Sequence, residues 1–443
     1  MKIKKHLSFT SLRQALSALF RKLPDNRRQA STTFSVHDAM MCGFACMYFQ
    51  DPSLLQFQQR LQEERNSNNL NTLFDVDNIP SNGQLREIID QQPSDWFTGA
   101  AKENVSRLQR GKQLEAFQLF PGKYICSLDA TQYFSSKAIR NAKSLQKNHR
   151  DGTTTYQRYA LQAALMHPDS KQVIPLAAED ICNTDGHTKQ DCETNAAKRL
   201  VPLLRATYPK LGLIITGDDL FSRQPMIETV REAGMNYIFV AKPASHTYLM
   251  QWLDTYDKLH ELRSHTIRKG QTVLYEWMNK VPLHGDKNAI EVNYISMKMI
   301  ETDPAGNEQV VSTKSWVTDV TVTPENVKTL AGGGRCRWKI ENECFNTLKN
   351  QGYHLAHNYG HGEQHLCFNF YLLTLLAFMF HQIFELTDRL YQQCREKFGS
   401  KRHLWETLRS YIKLLIFDNW ELLLQFALKP GDFLPERPSR PSG

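Results

Sequence analysis

Apolar residues recur at helical spacing from the N-terminus to about Phe120. The runs are SLRQALSALFRKL (from Ser11), DPSLLQFQQRLQEERNS (from Asp51) and, after the turn-like DNIPSNG, QLREIID (from Gln84). The pattern then changes to short apolar strands: Lys123–Asp129 (KYICSLD), Tyr156–Leu165 and Gln172–Ala178. A helix (Gln190–Thr207), a strand (Leu211–Thr216), a helix (Gln224–Ala233) and a strand (Tyr237–Ala241) follow. Between about Arg263 and Thr323 the helical signal is replaced by strand runs, Gln271–Met278, Ala289–Ile300 and Val310–Val322, with the turn DPAGNEQ before the last. Helical periodicity returns at Glu325, is interrupted at Gly332–Gly334 and at Gly352–Gly362, and runs to about Leu428 before the tail PERPSRPSG.

Three consecutive strands predict an antiparallel meander, and the alternation after them predicts a mixed sheet with flanking helices. The order β-β-β-α-β-α-β is that of an RNase H-like fold. The expectation is therefore an α/β chain whose RNase H-like core, a mixed five-stranded sheet, is interrupted by a β-rich insertion and flanked by helical N- and C-terminal regions. The boundaries fall at 1–120 for the helical N-terminal region, 121–262 for the first part of the core, 263–323 for the insertion, 324–390 for the second part, and 391–443 for the C-terminal helices and tail. A chain of 443 residues is also expected to hold more than one core.

Composition is that of a folded globular chain, with 41% apolar and 23% charged residues, which excludes disordered and collagen-like classes. Fifty-four basic against 46 acidic residues give a net charge of +8, a bias toward a polyanion, with nucleic acid the first candidate. The nine cysteines contain no CxxC pair and read as reduced thiols in a cytoplasmic protein. The membrane-like run Leu366–His381 is shorter than a span of about 20 residues and contains Asn369, so it predicts a buried helix and no membrane partner.

Asp129 ends one apolar strand and Asp218 follows another, with Asp219 adjacent. Burying an unpaired carboxylate is costly, so the plain reading is a capped strand end and the functional one a metal site at the carboxyl ends of neighbouring strands. The segment RCRWKIENECFNTLKNQGY predicts one helix starting after the three glycines. With Glu341 at 0° and about 100° per residue, Trp338, Phe345, Leu348, Cys344 and Ile340 surround it, so Glu341 faces inward and Glu343 outward. A salt bridge to Arg337, one turn earlier, is the structural alternative for Glu341. Carboxylate oxygens suit Mg²⁺ or Mn²⁺, and two such ions can activate a water or 3′-hydroxyl and stabilise the leaving oxygen of a phosphodiester.

The segment RWKIENECFNTLKNQGYHLAHNYGHG, with SLDATQYFSS and IITGDDLF upstream, resembles the DDE transposases of bacterial insertion sequences, in the cut-and-paste group with a β-rich insertion. The resemblance covers roughly Tyr124–His381. It implies Asp129, Asp218 and Glu341 as a catalytic triad of ligands for two Mg²⁺ or Mn²⁺ ions, with Asp218 preferred to Asp219 because it directly follows the strand and Gly217. It implies double-stranded DNA as partner (terminal inverted repeats and target), a homodimer on DNA, strand cleavage, a hairpin intermediate and strand transfer. In the family's Tyr–Arg–Glu–Lys signature Arg337 matches, Gly334 stands at the Tyr position and Leu348 at the Lys position, with Lys349 next to it. Trp316 occupies the place of an indole that stacks a flipped base, and a core Trp is the other reading. A catalytically silent DNA-binding descendant and a nuclease of the same fold are the rivals.

Four further signals are weaker. His354, His357, His361 and His365 would form a metal-binding row only on an unbroken helix, which Gly360 and Gly362 oppose. His149–Gly152 reads as a polar hairpin turn with a DNA-backbone contact as its alternative. Eight basic residues up to Arg28, set against Asp25, form either a DNA arm or a solvated helix face. The helices after Leu386 are candidates for dimerisation.

Overall fold

The computed structural model describes residues 4–28, 32–61, 64–183, 190–256, 259–265, 272–304 and 306–433. The tail PERPSRPSG and Lys2 of the basic arm lie outside the described residues. The helical periodicity of the N-terminal region becomes α1 (Phe9–Phe20), α2 (Val36–Tyr48), α3 (Leu54–Leu61), α4 (Glu64–Phe74), α5 (Asn82–Asp90) and α6 (Trp96–Arg110). Serine hydroxyls cap four of these: Ser8, Ser35, Ser53 and Ser81 accept from Ser11 N, Asp38 N, Gln56 N and Gln84 N, and Gln84 completes a capping box at α5.

Next come β1 (Gln118–Phe120), β2 (Lys123–Ser136), β3 (Leu145–Asn148), β4 (Thr154–Met166), β5 (Ile174–Ile181), α7 (Glu193–Thr207), β6 (Gly212–Gly217), α8 (Gln224–Glu232), β7 (Asn236–Val240) and α9 (Thr247–Asp254). The β-rich segment supplies β8 (His260–His265), β9 (Thr272–Pro282), β10 (Glu291–Thr302) and β11 (Glu308–Thr318). The chain ends in α10 (Val327–Cys336), a π-helical turn (Ile340–Phe345), α11 (Asn346–Asn350), α12 (Leu366–Thr387), α13 (Arg389–Phe398), α14 (Lys401–Leu414) and α15 (Trp420–Leu428).

These strands make one large mixed sheet in the order β3-β4-β2-β6-β7-β11-β10-β9-β8, with β5 also on β4 and β1 on β2. The expected meander is present as β2-β4-β5, antiparallel throughout, while β6 and β7 extend it in parallel from β2. The hairpin strand β3 was not anticipated, because LQKN has no apolar alternation. The β-rich segment does not fold apart from the rest: β11 pairs with β7 through Trp316↔Val240 and Thr318↔Ile238 and carries the sheet onward.

Buried apolar residues form one continuous cluster from Leu7 to Ala427, in place of the several cores expected. The reason is α12, whose apolar window is long enough to cross a membrane but is wholly buried inside the fold. Its Asn369 is fully buried with its amide satisfied: Nδ2 donates to Ile89 O and Gln92 O, and Oδ1 accepts from Trp96 Nε1 at 3.0 Å. Around α12 the two ends of the chain meet. Phe9 stacks on Trp420 at 5.2 Å, Tyr48 meets Trp405 edge-on at 5.4 Å, and Asn69 Nδ2 donates to Ile412 O and Leu415 O.

One expectation fails instructively. Three glycines in a row predict a break before a helix, yet Gly332–Gly334 lie inside α10. A Cβ at Gly333 would stand 2.9 Å from Leu119 and one at Gly334 only 2.5 Å from the Trp316 indole nitrogen, so these glycines let α10 lie close against the sheet. Gly334→Ala is expected to cost about 1–3 kcal/mol by overpacking. In a double-mutant cycle the smaller ring of Trp316→Phe should recover part of that loss; strict additivity in thermal or denaturant unfolding would show that the two positions do not share the space.

Candidate active site

In the parallel ladder of β2 and β6, Ser127 stands opposite Thr216 and their hydroxyls are 2.6 Å apart. Side chains alternate along a strand, so two residues further on the same face β2 presents Asp129, and the chain leaving β6 presents Asp218 at the same level. Gly217 makes this possible: a Cβ there would be 2.5 Å from the Phe221 ring, so the chain folds back sharply just after the strand. Asp218 Oδ1 accepts from Leu220 N at 2.9 Å. Asp219 is committed elsewhere, accepting from Lys242 N at 2.7 Å and Ser245 Oγ at 2.5 Å and lying 3.7 Å from His246 Nε2. Asp219 holds the turn into α9, which leaves Asp218 as the acid beside Asp129.

Glu341 arrives from the opposite direction on the π-helical turn. Ile340, Cys344 and Leu348 are fully buried and press this segment onto the sheet. Gln162, the β4 residue opposite Asp129, donates from Nε2 to Cys344 Sγ at 3.1 Å and accepts from Tyr371 OH at 2.8 Å. Lys339 Nζ donates to Pro168 O and Ser170 O beyond the end of β4. The strand that flanks Asp129 therefore also sets the depth of the Glu341 turn.

Arg337 joins the two acids. Its Nη1 donates to Asp129 Oδ2 at 3.0 Å and to Glu341 Oε1 at 2.9 Å, with side-chain exposures of 11% for Arg337, 18% for Asp129 and 42% for Glu341. The salt bridge weighed as the alternative for Glu341 is thus present, and it reaches Asp129 as well. Burial pushes the Asp129 carboxyl up to about 7 against the pull of Arg337, and the Glu341 charge adds to the rise.

A fourth carboxylate, missed in the sequence, belongs to the same group. Glu193, the first residue of α7, is pushed up to about 7 by burial, then by Asp218 and Asp129, with Arg337 opposing. Its only sequence signal is an acid in the first turn of the helix after the meander, which looks like an ordinary dipole partner.

The remaining candidates separate clearly. Trp316 is 2% exposed and fills the notch at Gly334, so it is the core Trp of the two readings and offers no face to a base. The exposed indole is Trp338, 51% exposed, with Lys314 Nζ and the Arg337 guanidinium each 5.6 Å from its ring centre. Burial and the charges of Arg335 and Arg337 lower the Lys314 pKa. Trp338 was missed because it was counted among inward residues. Cys336, Ile340, Cys344 and Leu348 centre the buried face about 80° away from Glu341, which puts Glu341 at its margin and Trp338 outside it. Lys349 is exposed at the end of α11, and no hydrogen bond or ion pair among the described residues ties it to the acids.

The histidines lie on a loop, not a helical row. Asp90 pins it by accepting from the backbone N–H groups of Glu363, Gln364, His365 and Leu366 at 2.8–3.0 Å, and Gly362 (φ 65°) gives the carboxylate room. His149–Gly152 is the tight turn joining β3 to β4. In the basic arm Lys4 donates to Gly111 O, while Arg13 and Arg21 pair with Asp75, so these cations serve the fold.

Among the described residues no three carboxylate, imidazole or thiol groups converge tightly enough to hold a metal ion as they stand. The donor chemistry at Asp129, Asp218, Glu341 and Glu193 is all carboxylate oxygen, which fits a hard divalent cation. The Arg337 guanidinium lies between Asp129 and Glu341 and bonds both.

A carboxyl that titrates near 7 when folded and about 4 when unfolded binds more protons in the folded state between those values, so its contribution to stability falls as pH rises through that window. Asp129→Asn should therefore raise the thermal midpoint in EDTA at pH 8 and flatten the decline between pH 5 and pH 8. An unchanged slope would show that Asp129 does not carry it. No protein-family model and no curated protein sequence matches the chain.

Proposed function

We propose that the chain is a DNA transposase of an insertion sequence, a metal-dependent enzyme that cuts the strands at its element's ends and transfers them to a target. The observation that carries this reading is the Arg337 bridge from Asp129 to Glu341, set beside the parallel register of β2 and β6 that pairs Ser127 with Thr216, two residues before Asp129 and Asp218. The strand order β5-β4-β2-β6-β7, with β2, β6 and β7 parallel, supports an RNase H-like core, and β8–β11 follow as its β-rich insertion, joined at β7. The resemblance of SLDATQYFSS, IITGDDLF and RWKIENE to DDE transposases supplies the reaction class.

In this reading Asp129, Asp218 and Glu341 would hold two Mg²⁺ or Mn²⁺ ions, which would supply activation of a water or 3′-hydroxyl and stabilisation of the leaving oxygen. Arg337, which here bonds Asp129 and Glu341, would carry the charge that meets a backbone phosphate beside them. Lys314, Arg335 and the Trp338 face offer the adjoining DNA contact, cations to phosphates and the indole to a base. With Gly334 at the signature's Tyr position and Trp316 behind it, that phosphate contact passes to these residues. The partner is double-stranded DNA, bound by a homodimer in the cytoplasm.

The test uses plasmid carrying the gene's flanking DNA, purified protein and Mg²⁺ or Mn²⁺. Asp129→Ala, Asp218→Ala and Glu341→Ala should each lower cleavage at the element boundaries at least about a hundredfold while end binding persists. Asp219→Asn should mainly lower thermal stability. Boundary cleavage that survives in the three Ala variants would reject the assignment. Separately, Lys314→Ala and Arg335→Ala should each reduce the slope of log affinity against log salt by about one; unaltered slopes would remove that face from the DNA interface.

A further inference from the structure

We propose that the ribbon made by the far half of β2, by β3 and by the start of β4 is a sequence-independent binding surface for the duplex that flanks the element, across the cut from the element's own end. The inference rests on the reading of Asp129 as a cleavage residue. Register sets where the ribbon stands. β2 pairs with β6 only as far as Ser127↔Thr216, yet it pairs with β4 out to Ser136↔Tyr156, and β3 adds to β4 there through Lys147↔Thr155. Past Asp129 the two strands therefore run on beyond the end of β6, to Ser136 on β2, an overhang of about 23 Å at the usual rise per residue. The overhang is braced. Tyr133 and Arg158 both bond Asp180 on β5, Asn141 Nδ2 donates to Gly362 O at 3.0 Å, and Asn141 Oδ1 accepts from Lys143 N at 3.1 Å.

Charge is the second observation. From Ser136 to Arg150 the chain carries Lys137, Arg140, Lys143, Lys147 and Arg150 and no acid, in a protein whose whole net charge is +8. Lys137, Arg140, Lys147 and Arg150 are exposed. Among the described residues none of the five pairs with a carboxylate: Arg140 donates to Tyr156 OH and Lys143 to His365 Nδ1 at 3.4 Å. The next acid, Asp151, is occupied by its own turn, accepting from Thr153 N at 3.0 Å and Thr153 Oγ1 at 2.7 Å. Arg13, Arg21 and Arg27 of the N-terminal arm, by contrast, all have carboxylate partners. Five unpaired cations held on a braced ribbon repel one another, a cost that a polyanion lying along them removes.

Position and chemistry identify that polyanion as the flank. β4 and β11 lie on opposite sides of the β2–β6 pair, so the ribbon stands across the acids from the face bearing Lys314 and Trp338. A duplex crossing Asp129 is then held on both sides of the cut. The Trp338 face offers an indole to a base, whereas the ribbon offers cations, which hold phosphates whatever the bases. That suits the flank, whose sequence changes with every insertion site. An overhang of about 23 Å is about two-thirds of a turn of B-DNA, which places the contact about six to seven base pairs outside the cut.

The experiment compares full-length wild type with the double variant Lys147→Ala/Arg150→Ala in EDTA, so that nothing is cut. Two probes are titrated over a salt series: an element end carrying about 15 base pairs of its flank, and the same end cut flush at the boundary. On the flanked probe the variant should lower the slope of log affinity against log salt by about two, and on the flush end it should match wild type. Shortening the flank to about three base pairs should erase the difference. Equal losses on both probes would place the ribbon on the element's end, and a loss on neither, even if strand transfer into target plasmid falls, would remove it from the flank; each overturns the proposal. The charge-keeping pair Lys147→Arg/Arg150→Lys should bind as wild type, and a loss there equal to that of the alanines would reject a role for charge. Should the alanine variant fail to fold, Lys137→Gln carries the test, with an expected slope change of about one on the flanked probe alone. Wild type that prefers its element's end to no unrelated duplex and cuts neither would sink the transposase reading together with the ribbon. Wild type that binds and cuts its ends, with the double variant indistinguishable from it on the flanked probe, rejects the ribbon alone.

Discussion

The two bonds from Arg337, to Asp129 at 3.0 Å and to Glu341 at 2.9 Å, are the constraint on which the candidate site depends. Asp129 lies inside a sheet and is substantially desolvated; alone, its charge would be expelled by protonation. The guanidinium permits that charge to exist and draws the Glu341 turn down to it. A buried ion pair of this kind adds little net stability over an apolar isostere, but it fixes geometry. Its buried Nε has no hydrogen-bond partner among the described residues.

The wider fold serves this geometry. Register between β2 and β6 sets the two aspartates level, Gln162 on β4 ties the Glu341 turn to the same strand pair, and Gly333 and Gly334 bring α10 close enough for Arg337 to reach across. The buried helix α12 holds both chain ends around one core and packs against β5 of the meander. By continuing the sheet through β11, the β-rich segment carries Lys314 to the rim beside Trp338.

Much of this was legible in the sequence because it is local. The apolar run before Asp129 marked only the first half of β2, which continues through TQYFSS to Ser136 so that Asp129 lies mid-strand, while LGLIIT marked β6, helical periodicity marked the terminal regions, and Asn369 within an apolar run marked a core helix. What was not legible depends on tertiary contact. Gly334 looks like a helix breaker until the Trp316 indole is seen to occupy its side-chain space. Trp338 looks apolar and inward by phase, yet the buried stripe lies to one side of it. Glu193 looks like a helix-capping acid, and its nearness to Asp218 and Asp129, which with burial raises its carboxyl pKa, is a tertiary property. The choice between Asp218 and Asp219 likewise turns on Lys242 and Ser245, more than 20 residues away in sequence.

The central claim is that Arg337 and divalent ions compete for the same carboxylates. The most direct measurement is anomalous diffraction at the manganese edge from crystals of the full chain bound to its element's end DNA and soaked in Mn²⁺. The account predicts manganese density between Asp129 and Asp218, with Arg337 turned away from both carboxylates and onto a phosphate. Arg337 still bridging Asp129 and Glu341, with no manganese between the aspartates, would contradict it.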